Sequence, residues 1–227
     1  MRDYVSVRRR MIETHLRRRG IKDEAVLRAM QEVPREFFVE PGFEEFAYED
    51  SPLPIKESQT ISQPYIVALM LEQAGILPAD TVLEVGTGSG YAAAVISRIA
   101  DQVFTIERHD SLAKRAKQRF EELGYDNIQV RTGDGTLGWA TAGPFNAILV
   151  AAAGAEIPVA LTDQLDVSGR LILPVGDASG QRLIKITRSS ATTFQEEDLG
   201  AVIFVPLVGG DKRSIMLQAR RLRSTRH

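Results

Sequence analysis

An apolar stretch followed by regularly spaced glycines places the strongest constraint on the fold of this chain. The β-branched residues of Thr81–Val85 predict a buried strand, and Gly86, Gly88 and Gly90 follow it at alternate positions. Residues 91–100 then have the apolar composition of a helix. A strand, a glycine turn and a helix in this order aim free backbone N–H groups and the positive end of a helix dipole at a ligand. Because glycine has no side chain, the ligand can lie against the main chain. We therefore expect a site for a nucleotide-like cofactor.

The spacing of the glycines disfavours a dinucleotide. The dinucleotide fingerprint G-x-G-x-x-G has its third glycine one position later, where this chain has Tyr91. Glu84 stands two residues before the first glycine and offers a carboxylate to a cationic group of the ligand. The resulting E-x-G-x-G-x-G loop resembles the first motif of the S-adenosylmethionine-dependent methyltransferases with a Rossmann-like fold. At this point the glycines could still do no more than close a strand–helix corner.

Composition excludes several kinds of chemistry. The chain has 227 residues, of which 44% are hydrophobic and 26% charged, and this suits one α/β domain. It contains no cysteine, so disulfides, thiolate nucleophiles and cysteine-based zinc sites are ruled out, and its three histidines lack metal-ligand spacing. We expect no metal. The formal net charge of −2 indicates neither nucleic acid nor a membrane as partner. The sequence shows no signal peptide or membrane span, so we expect a cytoplasmic location. We also expect a monomer.

The first 56 residues are predicted to form a helical and irregular extension. Apolar spacing predicts one helix over 4–16 capped by Gly20, and a second one that is N-capped by Asp23 and stopped by Pro34. Two arginine clusters, 8–10 and 17–19, are interpreted as solvated helix faces. The segment 37–55 is rich in proline and aromatic residues, and we expect it to form an irregular cover over a sheet edge or cleft. A further helix is predicted over 65–74, ended by Gly75.

The rest of the chain alternates between strands and helices. Strands are predicted at Thr81–Val85, 102–106, 128–131, 147–150 and 170–174, with helices at 91–100, 111–123 and 158–165. This alternation predicts an α/β fold with a mostly parallel, doubly wound sheet. Segments 183–187 and 201–207 are predicted to close it as an antiparallel hairpin. We expect one domain over 1–227, with a cofactor-binding core at 57–210, a substrate loop at 57–65 and a tail at 211–227.

Polar groups follow three neighbouring strands of this predicted sheet. Glu84 and the glycines end the first strand, Glu107 ends the second, and Asp134-Gly135 follows the third. Ligands of such sheets bind at the carboxyl ends of the strands. A carboxylate at Glu107 could accept both hydroxyls of a ribose, and one at Asp134 could accept from an adenine amino group. Glu107 alone would also suit NAD, and Asp134 alone could be a turn residue. The combination favours S-adenosylmethionine.

Features that the sequence lacks limit the possible kinds of methyl acceptor. Without cysteine, the covalent route to cytosine C5 methylation is closed. Residues 150–154 lack the Asn/Asp-Pro-Pro-aromatic element of nucleic-acid amino-group methyltransferases. No proton-abstracting base is evident either, since His109 at a helix start is better explained as a capping or solvated residue. A carboxylate acceptor needs no base, because it is ionised at neutral pH.

The segment Gln59-Thr60-Ile61-Ser62-Gln63-Pro64 resembles the T-I-S-x-P signature of the protein-L-isoaspartate O-methyltransferases. The likeness extends over nearly the whole chain. It includes residues 53–55, 83–90, 133–135, 151–153, 169–176 and 204–207.

The resemblance implies methyl transfer from S-adenosylmethionine to the free α-carboxyl of L-isoaspartyl residues in age-damaged proteins and peptides. The ester then collapses to a succinimide. It implies that Ser62 is the catalytic residue and directs the substrate carboxylate. The expected cofactor-binding residues are Gln59, Thr60, Glu84, Gly86, Thr87, Gly88, Ser89, Gly90, Glu107, Arg108, Asp134 and Gly135.

The chain departs from the family pattern at three places, and one alternative role and three alternative functions stay open. Ser58 stands where a glycine is common, Asn146 where an aspartate is usual, and residues 208–212 lack an aromatic. Thr60 and Ser62 could also N-cap the helix that starts near Pro64. The alternative functions are a methyltransferase for a small-molecule carboxylate, an NAD-dependent oxidoreductase, and a non-catalytic cofactor-binding protein.

Overall fold

The computed structural model describes residues 3–209 and is built around a seven-stranded mixed sheet. A two-stranded antiparallel ribbon precedes that sheet, made by β1 (Leu53–Pro54) and β2 (Thr60–Ile61). The strands of the large sheet are β3 (Thr81–Val85), β4 (Gln102–Glu107), β5 (Ile128–Thr132), β6 (Phe145–Val150), β7 (Leu165–Asp177), β8 (Gly180–Arg188) and β9 (Phe194–Val202). Their order is β5-β4-β3-β6-β7-β8-β9, parallel from β5 to β7 and antiparallel beyond. The predicted Rossmann-like α/β class is confirmed.

The helices cover both faces of the large sheet. They are α1 (Tyr4–Met11), α2 (Glu24–Glu32), α3 (Pro64–Ala74), α4 (Tyr91–Ile96), α5 (Asp110–Leu123) and α6 (Val159–Asp163). The first five contribute to a larger apolar cluster on one face and α6 to a smaller cluster on the other. Consecutive strand residues alternate between the two, since Val82 lies in the larger cluster and Leu83 in the smaller. Burial on both faces explains why the consecutive residues Val82 and Leu83 of β3 are both apolar.

The predicted helix ends agree with the structure at the points where a capping residue is present. Asp23 accepts hydrogen bonds from the backbone of Ala25 and Val26, as an N-cap does. Gly20 and Gly75 both have left-handed backbone conformations and end their helices. The first helix continues beyond α1 through a π-helical turn at Ile12–Leu16 and a 3₁₀ turn at Arg17–Arg19.

Two helices are shorter than predicted. The helix predicted over 91–100 ends at Ile96, and the hydroxyl of Ser97 donates to the carbonyl of Ala94 in the turn that follows. The one predicted over 158–165 spans Val159–Asp163, because the next residues already belong to β7. Apolar residues recur soon after both helix ends, at Ile99 and Leu165, so hydrophobicity could not mark the ends.

The predicted second strand of the closing hairpin is wrong in position. Residues 183–187 do lie in β8, but its partner β9 is Phe194–Val202 rather than 201–207. Most of β9 carries exposed polar side chains, because it is the outer strand of the sheet. The apolar residues 203–207 instead run past the end of β6, where the backbone N–H of Leu207 donates to the carbonyl of Ala153.

One prediction about the N-terminal extension needs correction. Arg8 is buried rather than solvated and donates to Tyr48 and to the carbonyls of Gln31 and Glu32, whereas Arg9, Arg10 and 17–19 are exposed as predicted. The irregular segment 37–55 has its aromatic Phe38 packed edge-on against Tyr91 of α4, and its Pro52 lines a large cavity, in keeping with the predicted cover over a sheet edge or cleft. The predicted tail 211–227 lies outside the described residues. Within 3–209, every helix is too short or too polar to cross a bilayer.

Candidate active site

The sheet reverses its strand order at β3, which has β4 on one side and β6 on the other. In open α/β sheets a ligand binds at such a point, beyond the carboxyl ends of the strands. A cavity of about 900 Å³ opens here. Of the thirteen predicted site residues, eleven line the cavity, and Gly90 and Asp134 do not.

The glycine loop adopts backbone conformations that side chains disfavour. Gly86, Gly88 and Gly90 all have positive φ, at 97°, 52° and 90°. A Cβ at Gly90 would lie 2.8 Å from the ring of Phe120, so this glycine is required for packing of the loop on α5 rather than for contact with a ligand. Gly86 faces Ala151 at the end of β6. The loop therefore presents bare backbone toward the cavity, as a nucleotide cradle needs.

Glu107 holds the rim of this cradle. It is buried at the end of β4, and its Oε2 accepts from the backbone N–H of Gly88 at 2.8 Å. Its Oε1 accepts from the N–H of His109 at 2.9 Å. Each carboxylate oxygen can accept a second hydrogen bond, so two ribose hydroxyls can still be held. The neighbouring Arg108 is exposed and donates to the carbonyl of Val208.

Glu84 is a buried carboxyl beneath the glycine loop. Its Oε2 accepts from the hydroxyl of Thr105 at 2.6 Å, and that hydroxyl lies 2.6 Å from Thr87 Oγ1. Burial raises the pKa of Glu84 to about 8, and the nearby carboxylate of Glu107 acts in the same direction. A cationic group placed beside Glu84 would favour its ionised form.

Asp134 and Gly135 play different parts from one another. The Oδ1 atom of Asp134 accepts from the backbone N–H of Thr136 at 2.9 Å and from its hydroxyl at 2.7 Å, so it N-caps a 3₁₀ turn. A Cβ at Gly135 would lie 2.3 Å from Val85 Cγ1. Gly135 therefore brings backbone up to the end of β3, where it lines the cavity.

Residues 59–63 of the predicted substrate loop also line the cavity. Thr60 and Ile61 pair with β1, and Ser62 follows directly at the cavity surface. Within residues 3–209 the hydroxyl of Ser62 has no hydrogen-bond partner, so it is available to a ligand.

The alternative role of Thr60 and Ser62 as helix caps is wrong. Gln63 is the N-cap of α3 and makes no side-chain cap hydrogen bond. Asp50 caps the start of α3 instead, since its Oδ1 accepts from the backbone N–H of Tyr65 at 3.1 Å.

The departure from the family pattern at Ser58 has a structural consequence. Ser58 and Glu57 have φ of 54° and 58°, a left-handed conformation that favours glycine. The Glu57 carboxylate accepts from Ser111 Oγ at 2.5 Å and lies 3.8 Å from His109 Nδ1. The loop is thus tied to the start of α5, beside the rim formed by Glu107.

Two cavity walls were missed from the sequence. Residues 199 and 201–208 form the first, and Ile203 among them is almost fully exposed. Arg19 belongs to the second, with its guanidinium 3.5 Å from the ring centroid of Tyr65 and an ion pair to Asp50. Apolar residues in 203–207 were a signal for the first wall but were assigned to a strand. No local pattern indicated the second.

The residues present fit S-adenosylmethionine. Bare glycine backbone, a carboxylate at the end of β4 and a buried carboxyl near the loop face one cavity, which also reaches a free hydroxyl on the substrate loop. A mostly parallel Rossmann-like sheet with this loop defines the class of S-adenosylmethionine-dependent methyltransferases.

Comparison with known proteins identifies the family. Residues 7–212 match the model of the family "Protein-L-isoaspartate(D-aspartate) O-methyltransferase (PCMT)". The protein-L-isoaspartate O-methyltransferase of Brucella anthropi is 57% identical over 210 residues, covering 92% of this chain and 96% of the relative. That of Pelotomaculum thermopropionicum is 54% identical over 202 residues, covering 89% and 88%. The chain belongs to the protein-L-isoaspartate O-methyltransferase family, and S-adenosylmethionine is its cofactor.

Two solved structures superpose on most of this chain. A protein-L-isoaspartate O-methyltransferase superposes with a TM-score of 0.83 at 29% identity, covering 95% of this chain and 70% of that one. A Plasmodium falciparum β-aspartate methyltransferase (PCMT), solved in complex with S-adenosyl-L-homocysteine, gives a TM-score of 0.78 at 26% identity, covering 92% and 100%.

Proposed function

We propose that this protein transfers the methyl group of S-adenosylmethionine to the free α-carboxyl of L-isoaspartyl residues in damaged proteins and peptides, which starts their repair through a succinimide. The observation that carries the acceptor assignment is the Ser62 hydroxyl. It lies in the same cavity as the glycine loop and has no partner within residues 3–209.

S-adenosylmethionine supplies a methyl group that is electrophilic because it is bonded to a sulfonium sulfur. The acceptor carboxylate is already ionised at neutral pH, so no residue has to remove a proton. One carboxylate oxygen forms the new O–C bond while the C–S bond breaks, and a methyl ester and a neutral thioether result. The Ser62 hydroxyl donates a hydrogen bond to the acceptor carboxylate and so fixes the direction of that carboxylate. Alignment of this kind supplies up to roughly 7–11 kcal/mol in model reactions.

The remaining predicted residues hold the cofactor in this proposal. Glu107 accepts from the ribose hydroxyls, and Glu84 faces the cationic amino group. Gly135 borders the adenine, and Asp134, which was predicted to accept from the adenine amino group, instead caps the turn that carries Gly135. The other cofactor contacts are assigned to Gln59, Thr60, Gly86, Thr87, Gly88, Ser89 and Arg108, and Gly90 shapes the loop.

The proposal takes the chain as one domain that acts as a cytoplasmic monomer on protein substrates, without nucleic-acid or membrane partners. The assignment of one domain is supported by the larger apolar cluster, which joins residues from Met11 to Leu183. Monomeric action is supported by the cavity, because one chain supplies both the glycine loop and the substrate loop. The formal net charge of −2 argues against a polyanionic partner.

The test is transfer of tritiated methyl to an isoaspartyl peptide, with its normal aspartyl twin as control. We expect base-labile label in the isoaspartyl peptide alone. Equal labelling of both peptides, or label only in small carboxylic acids, would contradict the substrate assignment. If the protein binds S-adenosylmethionine but transfers label to no carboxylate, the non-catalytic alternative is favoured.

A further inference from the structure

Arg35 is fully buried, yet it forms no ion pair within residues 3–209. It follows Pro34, which ends α2, and begins a 3₁₀ turn of the N-terminal extension. A buried cation without a carboxylate partner is costly, and an apolar residue of similar volume often serves stability as well or better. Its position therefore calls for a role other than core packing.

The guanidinium of Arg35 joins three separate parts of the chain. Its Nε donates to the carbonyl of Ala47 at 2.7 Å, and its Nη2 donates to the carbonyl of Ser62 at 2.9 Å. Its central carbon lies 4.7 Å from the ring centroid of Tyr91, the first helical residue after the glycine loop. The third nitrogen, Nη1, and the Tyr91 hydroxyl are buried without partners within 3–209.

We propose that Arg35 is a positioning residue that fixes the Ser62 backbone relative to the glycine loop, so that the Ser62 hydroxyl meets the acceptor carboxylate in line with the methyl donor. This rests on the function proposed above. The planar fork of arginine suits the role, because it can donate to two carbonyls in fixed directions while its face stacks on an aromatic ring. A displacement of about 1 Å can cost 100-fold in rate, so a backbone anchor at this point has catalytic consequences.

Arg8 provides a matched control. It is also a buried arginine of the extension, and it donates to two backbone carbonyls, those of Gln31 and Glu32. It pairs with Glu36 and does not contact the substrate loop. Substitution of Arg8 should therefore affect the stability of the N-terminal extension and leave the substrate loop in place.

The experiment compares Arg35→Met with Arg8→Met. Met preserves bulk but removes both hydrogen bonds. For folded Arg35→Met we expect kcat/KM for an isoaspartyl peptide to fall about tenfold or more, while the Kd for S-adenosylhomocysteine changes less than about threefold. For Arg8→Met we expect kcat/KM to stay within about threefold of wild type. Unchanged kcat/KM in Arg35→Met, or equal losses in both variants, would overturn the proposal.

A double-mutant cycle separates positioning from general structural damage. If Arg35 acts through Ser62, Arg35→Met should cost less than about threefold in kcat/KM when it is added to Ser62→Ala. Additive losses would mean that Arg35 does not act through Ser62. If Arg35→Met does not fold, Arg35→Lys takes its place, because lysine keeps the charge but lacks the fork.

Amide hydrogen exchange tests the anchor without any substrate. Amides of residues 60–64 should exchange faster in the Arg35 variant than in wild type and in Arg8→Met. Unaltered exchange there would refute the anchor. A wild-type protein that methylates no isoaspartyl peptide would instead refute the proposed function, and the exchange result would still decide the role of Arg35 as an anchor.

Discussion

Ser62 differs from its neighbours in the substrate loop because its hydroxyl is left without an internal partner among residues 3–209, while its backbone carbonyl is held by Arg35. A hydrogen bond to a charged group is worth about 1.5–3 kcal/mol. Such a bond contributes to the rate only when the carboxylate is bound, so its loss should leave the free protein almost unaffected.

We therefore expect Ser62→Ala to lower kcat/KM for an isoaspartyl peptide by roughly 10- to 100-fold. The affinity for S-adenosylhomocysteine and the free energy of unfolding should change little, because the hydroxyl bonds to nothing else in the described chain. Steady-state kinetics, calorimetry and urea unfolding measure the three quantities. A parallel loss of cofactor affinity and activity would contradict a role confined to the acceptor.

Residue roles could be predicted from the sequence where they depend on neighbours in the chain. Asp23 caps a helix two residues away and Gly75 ends another, and both were predicted. Arg8 and Arg35 could not be assigned, because their carbonyl partners lie 12 to 27 residues away. The same holds for Arg19, whose ring partner Tyr65 belongs to another helix. An arginine's surroundings in the fold, rather than its neighbours in sequence, decide whether it is buried.

At the level of elements, burial on both faces made the central strands easy to predict, because apolar residues stand next to one another in them, as in residues 147–150 of β6. The outer strand β9 was missed for the opposite reason. Residues 195–198 are polar and exposed, as suits an edge strand that must not pair with another chain. The apolar segment after it lines the cavity, so hydrophobicity marked a ligand site rather than a strand.

The glycine loop allows a comparison between two glycines of positive φ. Gly75 ends α3 in open space, whereas a Cβ at Gly90 would press on the ring of Phe120 at 2.8 Å. We expect Gly75→Ala to cost about 1 kcal/mol from backbone strain. Gly90→Ala adds overpacking of about 1–3 kcal/mol and should cost about 2–4 kcal/mol.

Urea unfolding of the two alanine variants gives these free energies. Gly90→Ala should also weaken binding of S-adenosylhomocysteine, since the loop must shift, while Gly75→Ala should bind it normally. Equal free-energy losses in the two variants would show that the contact with Phe120 relaxes without cost.

For the whole molecule, the switch point of the sheet brings Glu84 and Glu107 together at the ends of adjacent strands, where both are buried. Burial raises the pKa of Glu84 from its ordinary value of 4.5 to about 8. The folded state thus binds a proton that the unfolded state releases between these two pH values. The stabilisation is complete below pH 4.5 and is lost as pH rises through about 8.

Glu84→Gln should remove this dependence, because the amide cannot titrate. We expect the free energy of unfolding of wild type, measured relative to Glu84→Gln, to fall between pH 5 and 8 by up to about 1.4 kcal/mol per pH unit. Urea unfolding across this range measures the difference, and Glu49→Gln, which alters a surface carboxyl, serves as the control. Parallel curves for wild type and Glu84→Gln would mean that Glu84 is already ionised at pH 5. In that case the buried carboxyl would meet a cationic ligand as a preformed anion, with no proton released on binding.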